Sequence, residues 1–151
     1  MKVFSGIEEA KEFVGQEIGV SPWYDVTQDR INAFADATGD HQWIHVDVER
    51  AQNESPFGGP VAHGYFTLSL APKMMWEVYK MEGVKMGVNY GVNKVRFPAP
   101  VPAGSRIRMH LELKELQDIE GGAQAVMLLT FEREGHEKPV CVAESVSRWY
   151  V

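Results

Sequence analysis

Cysteine is almost absent from this chain: Cys141 is the only one in 151 residues. A lone thiol excludes an internal disulfide and a thiolate metal cluster built within one chain, and it suits a reducing compartment. Long apolar runs are missing as well. No stretch approaches the ~18 consecutive apolar residues of a membrane span, and the opening MKVFSGIEEAKEFVGQEIG lacks the continuous apolar core of a secretory signal. The expectation is a cytoplasmic protein. Basic residues are in short supply, with 15 Lys and Arg against 21 Asp and Glu and a formal charge of −6. A nucleic-acid surface needs a basic stripe and none is visible, although an acidic balance leaves room for a small basic pocket.

What remains is ordinary globular material. Hydrophobic residues make up 44% and charged ones 24%, which excludes disorder and fibrous repeats. The length predicts one domain over 1–151, burying roughly 70% of the surface of the unfolded chain.

Helical patterns come first. Ile7, Ala10, Phe13 and Val14 recur at intervals of three and four, predicting a short helix over 7–14. A clearer helix follows Thr27, a good N-cap, with Ile31, Phe34, Ala35 and Thr38 as its stripe and Gly39 as its C-cap. Residues 65–81, YFTLSLAPKMMWEVYKM, are apolar on most faces, as in a helix surrounded by protein. Pro72 removes a backbone donor inside it, so a kink or break is expected there. Met74, Met75 and Trp76 read as core.

The second half reads as antiparallel sheet. Ile107, Met109, Leu111 and Leu113 alternate with Arg106, Arg108, His110, Glu112 and Lys114, the period of a half-buried strand. Gly121-Gly122 marks a hairpin turn, and 123–134, 139–151 and 87–97 supply three more strands, with a short one near 18–26. The fold class is therefore α+β, an antiparallel sheet of about five strands around one long buried helix.

One short stretch raises a chemical question. In ATGDHQWIHVD, Asp40 and His45 are five apart, a spacing that puts them off one another's face on a straight helix. If they cooperate, a turn after Gly39 must bring them together. Downstream, PVAHG from Pro60 to Gly64 opens the apolar helix.

GDHQWIHVD, PVAHG and the later NKVRFPAPVPAGSRI, in this order and ahead of an all-strand C-terminal half, resemble the MaoC-like branch of the hot-dog fold, which contains the R-specific enoyl-CoA hydratases. The resemblance extends over nearly the whole chain. It implies that Asp40 and His45 hold one water, that the Gly64 amide stabilises a thioester oxyanion, and that the substrate is an acyl-CoA thioester with no further cofactor. It also implies a hydro-lyase of fatty acid metabolism, reversibly converting trans-2-enoyl-CoA to (R)-3-hydroxyacyl-CoA. The sequence departs from the family at Gln42-Trp43, where many members carry Asn-Pro, and this departure is expected to alter pocket shape.

The residue types suit that chemistry. Hydration of an α,β-unsaturated thioester needs a base for water, an acid for the α-carbon, and donors for the enolate-like oxygen. An ionised Asp beside a neutral His is accessible near neutral pH, their reference values being ~3.9 and ~6.5. Helix-start amides lack internal partners and favour negative charge, and glycine leaves a ligand free access to the backbone.

Blander uses exist for each residue alone: Asp40 as a turn residue and His45 as a satisfied core imidazole. A metal site built from His41 and His45, four apart, with Asp40 or His63 is the competing chemical reading, but the helix end at Gly39 leaves that spacing without a helix, and no metal is expected. A non-catalytic acyl-thioester-binding subunit and a hot-dog thioesterase are the functional alternatives. His63, Asn89 and Asn93 are candidate pocket residues, the two asparagines sharing a face if their strand keeps its period of two. Arg96, Arg106 and Arg108 suit either coenzyme phosphates or a solvated strand face. An open sheet edge predicts a C2 homodimer joined edge to edge.

Overall fold

A computed structural model describes residues Met1–Val151. In chain order the elements are β1 (Lys2–Phe4), α1 (Ile7–Lys11), β2 (Gln16–Val20), β3 (Tyr24–Asp25), α2 (Gln28–Thr38), α3 (Trp43–Val46), α4 (Val48–Glu54), α5 (Gly64–Ser69), α6 (Ala71–Val78), β4 (Tyr79–Met81), β5 (Met86–Arg96), β6 (Arg106–Ile119), β7 (Gly122–Arg133) and β8 (Cys141–Tyr150). The main sheet is antiparallel in the order β2-β6-β7-β8-β5, and β3 adds to β6 beyond β2. It curls around α5 and α6, the hot-dog arrangement anticipated from the sequence.

The alternation in β6 does what its pattern requires. Ile107, Met109, Leu111 and Leu113 are buried against the helices, joined by Leu129 and Phe131 of β7 and Cys141 and Ala143 of β8. Phe66, Met74, Met75 and Val78 of α5 and α6 close the same cluster. Gly121 takes a left-handed φ of 76° where β6 turns into β7, a conformation that costs glycine little. The strand expected near 18–26 is split into β2 and β3. Pro22 lies between them, and Ser21 bridges the gap by donating its amide to Met109 O at 2.9 Å and accepting the Met109 amide on Oγ at 2.9 Å.

The break expected near Pro72 is present: the central helical segment is two helices, α5 and α6, meeting at Leu70. Pro72 has no N–H to offer one turn back, so the Leu70 amide closes a tight turn on Thr67 O at 3.1 Å and the ladder restarts with Met74 N on Leu70 O at 3.0 Å. The helical segment also stops at Val78. Residues 79–81 form β4, which runs parallel to β1 with Lys2 beside Tyr79 and Phe4 beside Met81. Nor is this segment enclosed on all sides. Its sheet-facing residues are buried, but Tyr65 and Trp76 are 70% and 75% exposed, so Met74 and Met75 are core and Trp76 is not.

Asn89 and Asn93 do not share a face. The β5–β8 ladder shifts register between Asn89 and Gly91, which inverts the alternation once beyond Asn89, and again between Val92 and Lys94, where Asn93 is itself the extra, unpaired residue. Asn89 lines a hollow on the helix side with Leu68, Ala71 and Met75, while Asn93 lies on the outer side of the sheet with Glu115, Gln117 and Gln124. No helix is long and apolar enough to cross a membrane.

Candidate active site

Helix α2 is bounded as its sequence dictates. Thr27 Oγ1 accepts the Arg30 amide at 3.3 Å, and Gly39 ends the helix with φ 79° while donating its amide to Ala35 O at 2.8 Å. The chain then reverses. Asp40 Oδ1 accepts the Gln42 amide at 3.3 Å, a local turn typical of aspartate, and α3 is a single helical turn carrying His45. Gln28 of α2 donates to His45 O at 2.7 Å and so ties α3 back to the preceding helix. Here lies the answer to the five-residue spacing: a left-handed glycine and a side-chain-stabilised turn replace the continuous helix on which the pair would diverge.

PVAHG supplies the other wall. Pro60 to Ala62 runs extended against 101–103, with Ala62 N donating to Val101 O at 2.8 Å and Ala103 N to Pro60 O at 2.9 Å. Val61 N donates to Ile44 O at 3.0 Å, and His45 Nδ1 lies 2.6 Å from Val61 O. A carbonyl can only accept, so Nδ1 holds the proton and Nε2 of neutral His45 keeps its lone pair. His45 is buried, and burial pushes its pKa down from the ordinary 6.5; the hydrogen bond to Val61 opposes this, neighbouring His63 adds to it, and the Asp40 carboxylate opposes it.

His63 is a full member of this group. Its ring stacks on His45 with centroids 3.8 Å apart and planes at 25°. Its Nε2 donates to the backbone oxygen of Asp40 at 3.0 Å and stands 3.9 Å from Oδ2 of the same residue. His63 thereby anchors the turn that carries the acid. The Asp40 side chain is half exposed, and one side-chain donor atom from each of Asp40, His45 and His63 lies within 4.8 Å of the others.

Gly64 opens α5, and neither its amide nor that of Tyr65 has a backbone acceptor. A Cβ at Gly64 would meet the Phe97 ring at 3.0 Å, so any larger residue here would have to push that ring aside whether or not a ligand is bound. The adjoining cavity, about 350 Å³, is walled by Ile44, His45, Gly64, Thr67, Phe97 and Val140 among others.

Four of the other candidates lie elsewhere. Gln42 and Trp43 do not line this cavity; Gln42 is spent on the turn, its O accepting the His45 amide at 3.0 Å, and Trp43 packs under Arg50, whose Cζ is 4.2 Å from the ring centre. Asn89 and Asn93 are also outside it. His41 turns outward to Asp36, Nε2 to Oδ1 2.9 Å, so the His41–His45 spacing makes no metal pair. The three converging side chains are Asp40, His45 and His63; His63 Nε2 is engaged with Asp40 O, while its Nδ1 is buried without a partner. Arg106 is held by Glu134 and Asp25 and Arg108 by Glu132, whereas Arg96 bonds only the carbonyl of Val95. Sequence reasoning missed the stacked imidazoles, the Gln28 tie and Thr67. No periodicity announces contacts between segments so far apart in the chain.

The family model of the MaoC like domain matches residues 9–131. The 3-hydroxyacyl-thioester dehydratase Z of Mycobacterium tuberculosis (strain ATCC 25618 / H37Rv) is 49% identical over 150 residues, 99% of each chain. Among solved structures, the monoamine oxidase regulatory protein from Archaeoglobus fulgius superposes with a TM-score of 0.81 at 28% identity, covering 99% of this chain and 96% of that one. The (R)-hydratase from A. caviae involved in PHA biosynthesis shares the fold, with a TM-score of 0.73 at 21% identity over 89% of this chain and 94% of that one. A family match over most of the chain, joined to near full-length identity with a dehydratase and to the convergence of GDHQWIHVD on PVAHG, leads to one statement: this chain belongs to the MaoC-like dehydratase family.

Proposed function

We propose that the protein is a hydro-lyase that interconverts trans-2-enoyl-CoA and (R)-3-hydroxyacyl-CoA, with Asp40 and His45 as its catalytic pair. The observation that carries this reading is the tautomer of His45. Its Nδ1 is committed to Val61 O at 2.6 Å, so Nε2 is a base, and a carboxylate oxygen of Asp40 lies within 4.8 Å of a His45 ring nitrogen, within reach of one shared water. The pair holds one water. As its oxygen bonds C3 of the enoyl group, its O–H bond breaks toward the pair, and the pair delivers a proton to C2. One water thus furnishes both the hydroxyl and the hydrogen. Negative charge passes to the thioester oxygen, where the unpaired Gly64 amide receives it. Dehydration is the same path reversed, in keeping with the dehydratase named as a relative.

The reading needs no cofactor, since the acyl-CoA is the substrate, and it suits a cytoplasmic enzyme with a buried thiol. It includes a C2 homodimer. Strand β5 is an open edge with Met86, Tyr90 and Val92 exposed, and Tyr65 and Trp76 are bare on α5 and α6; pairing with a second copy would cover such an edge.

The test is loss of the conjugated-thioester absorbance of crotonyl-CoA, with chiral analysis of the product. Wild type yields the (R)-3-hydroxy product, and Asp40→Asn and His45→Gln each lose about 10²–10⁴-fold while folding normally. Release of free CoA would make the protein a thioesterase, and retained activity in either variant would dismiss the pair.

A further inference from the structure

Thr67 carries a hydroxyl with nowhere to go. The residue is 1% exposed, and its Oγ1 has no hydrogen-bond partner. A threonine within a helix ordinarily satisfies its hydroxyl on the carbonyl one turn back. That carbonyl, His63 O, accepts the Phe66 amide at 3.0 Å and the Thr67 amide at 3.4 Å but not the hydroxyl. Burying an unpaired hydroxyl is costly, so the free donor calls for an acceptor that arrives from outside.

Its position says which acceptor. Thr67 walls the same cavity as His45 and Gly64, and it follows Gly64 by three residues on α5, a spacing that puts the two on one face. Helical side chains lean back toward the N-terminus, which brings the hydroxyl over the first turn of α5, where the Gly64 amide is also unpaired. The rest of the lining is chiefly apolar. The cavity beside His45 is thus bordered by one unpaired backbone donor and one unpaired side-chain donor.

We propose that Thr67 Oγ1 donates a hydrogen bond to the carbonyl oxygen of a bound acyl thioester, forming with the Gly64 amide a two-donor oxyanion site. This rests on the acyl-thioester reading above. Because the enolate oxygen bears more charge than the thioester carbonyl, the bond tightens in the transition state and acts on kcat more than on KM.

The experiment pairs vibrational spectroscopy with turnover. Butyryl-CoA labelled with carbon-13 at the thioester carbonyl binds without reacting, and its carbonyl stretch reports donors directly. In wild type the stretch moves to lower frequency than in solution. Thr67→Val, which keeps shape and drops the hydroxyl, recovers much of the solution frequency, and Thr67→Ser restores the shift. With crotonyl-CoA, Thr67→Val lowers kcat by about 10- to 100-fold with KM within about threefold, and Thr67→Ser stays within a few-fold of wild type. Thr67→Ala is the substitute should the valine variant fail to fold. A stretch and a kcat unchanged in a hydroxyl-free variant overturn the proposal, even if Tm falls, since the hydroxyl would then be structural; failure of butyryl-CoA to bind overturns it too. Should wild type bind butyryl-CoA without hydrating crotonyl-CoA, while the shift still depends on Thr67, the hydratase reading falls and the Thr67 assignment stands.

Discussion

The corner formed by Gly39–His45 and Pro60–Gly64 and the edge strand β5 were both legible as elements, yet only the corner behaves as its local pattern promised. At the corner, residues with strong backbone preferences dictate the path: Gly39 adopts φ 79°, Asp40 closes a turn on the Gln42 amide, and tertiary bonds from Gln28 and Val61 hold the result. In β5 no residue announces a bulge, and the face assignment of Asn89 and Asn93 failed because one register shift follows Asn89 and Asn93 is itself the extra residue of a second. Turn chemistry is written in residue identity, whereas bulges depend on how a strand fits its neighbour. β6, paired on both sides, keeps Ile107, Met109, Leu111 and Leu113 in step over seven residues before its register with β7 shifts between Leu113 and Glu115; β5, paired on one side only, shifts twice within six residues.

The largest effect expected on this contrast comes from Gly39→Val. A β-branched residue at φ 79° costs about 1–2 kcal/mol and swings the turn that carries Asp40, so enoyl-CoA hydration should fall by about 10- to 100-fold with α2 intact by circular dichroism. Activity near wild type would mean the turn is not what positions the acid. At the edge, Val92→Lys places a charge where the sheet is open. Sedimentation at micromolar concentration should pass from dimer to monomer with far-ultraviolet dichroism unchanged, and a persistent dimer would move the interface elsewhere.

The pH dependence should be milder. Burial lowers the pKa of His45 below 6.5, so its base form persists into mild acid and the acid limb of kcat/KM should fall below pH 6.5. The same shift has a sign for stability: below about pH 6.5 the unfolded chain takes up a proton that native His45 refuses, so stability declines as pH drops through that value and levels off once it passes the native pKa. His45→Gln should flatten this portion of the curve measured by urea unfolding at several pH values. Smallest is Trp43→Ala. It removes the stacking with Arg50, worth about 0.5–1 kcal/mol, and should leave acyl-chain preference unaltered. A changed preference across enoyl-CoA lengths would restore Trp43 as a specificity residue.

Much of the site could be read from the chain because its members sit on local signals: a capped helix, a glycine stop, an aspartate turn, and a glycine opening the next helix. His63 was visible as a candidate, but its stacking on His45 and its bond to Asp40 O come from two segments meeting in space. Thr67 gave no sign at all, since a threonine within an apolar helix becomes chemically notable only when its hydroxyl proves to be buried and unpaired.

By itself the sequence determined helix α2, the glycine stop at Gly39, the antiparallel strands of the second half and the core face of β6, because each follows from backbone preference or from a periodicity spanning neighbours in the chain. The tertiary structure decided the parallel pairing of β1 with β4, the faces of β5 and the proton-bearing nitrogen of His45. These depend on which carbonyl, ring or strand lies opposite, and the partners come from segments that only folding brings together.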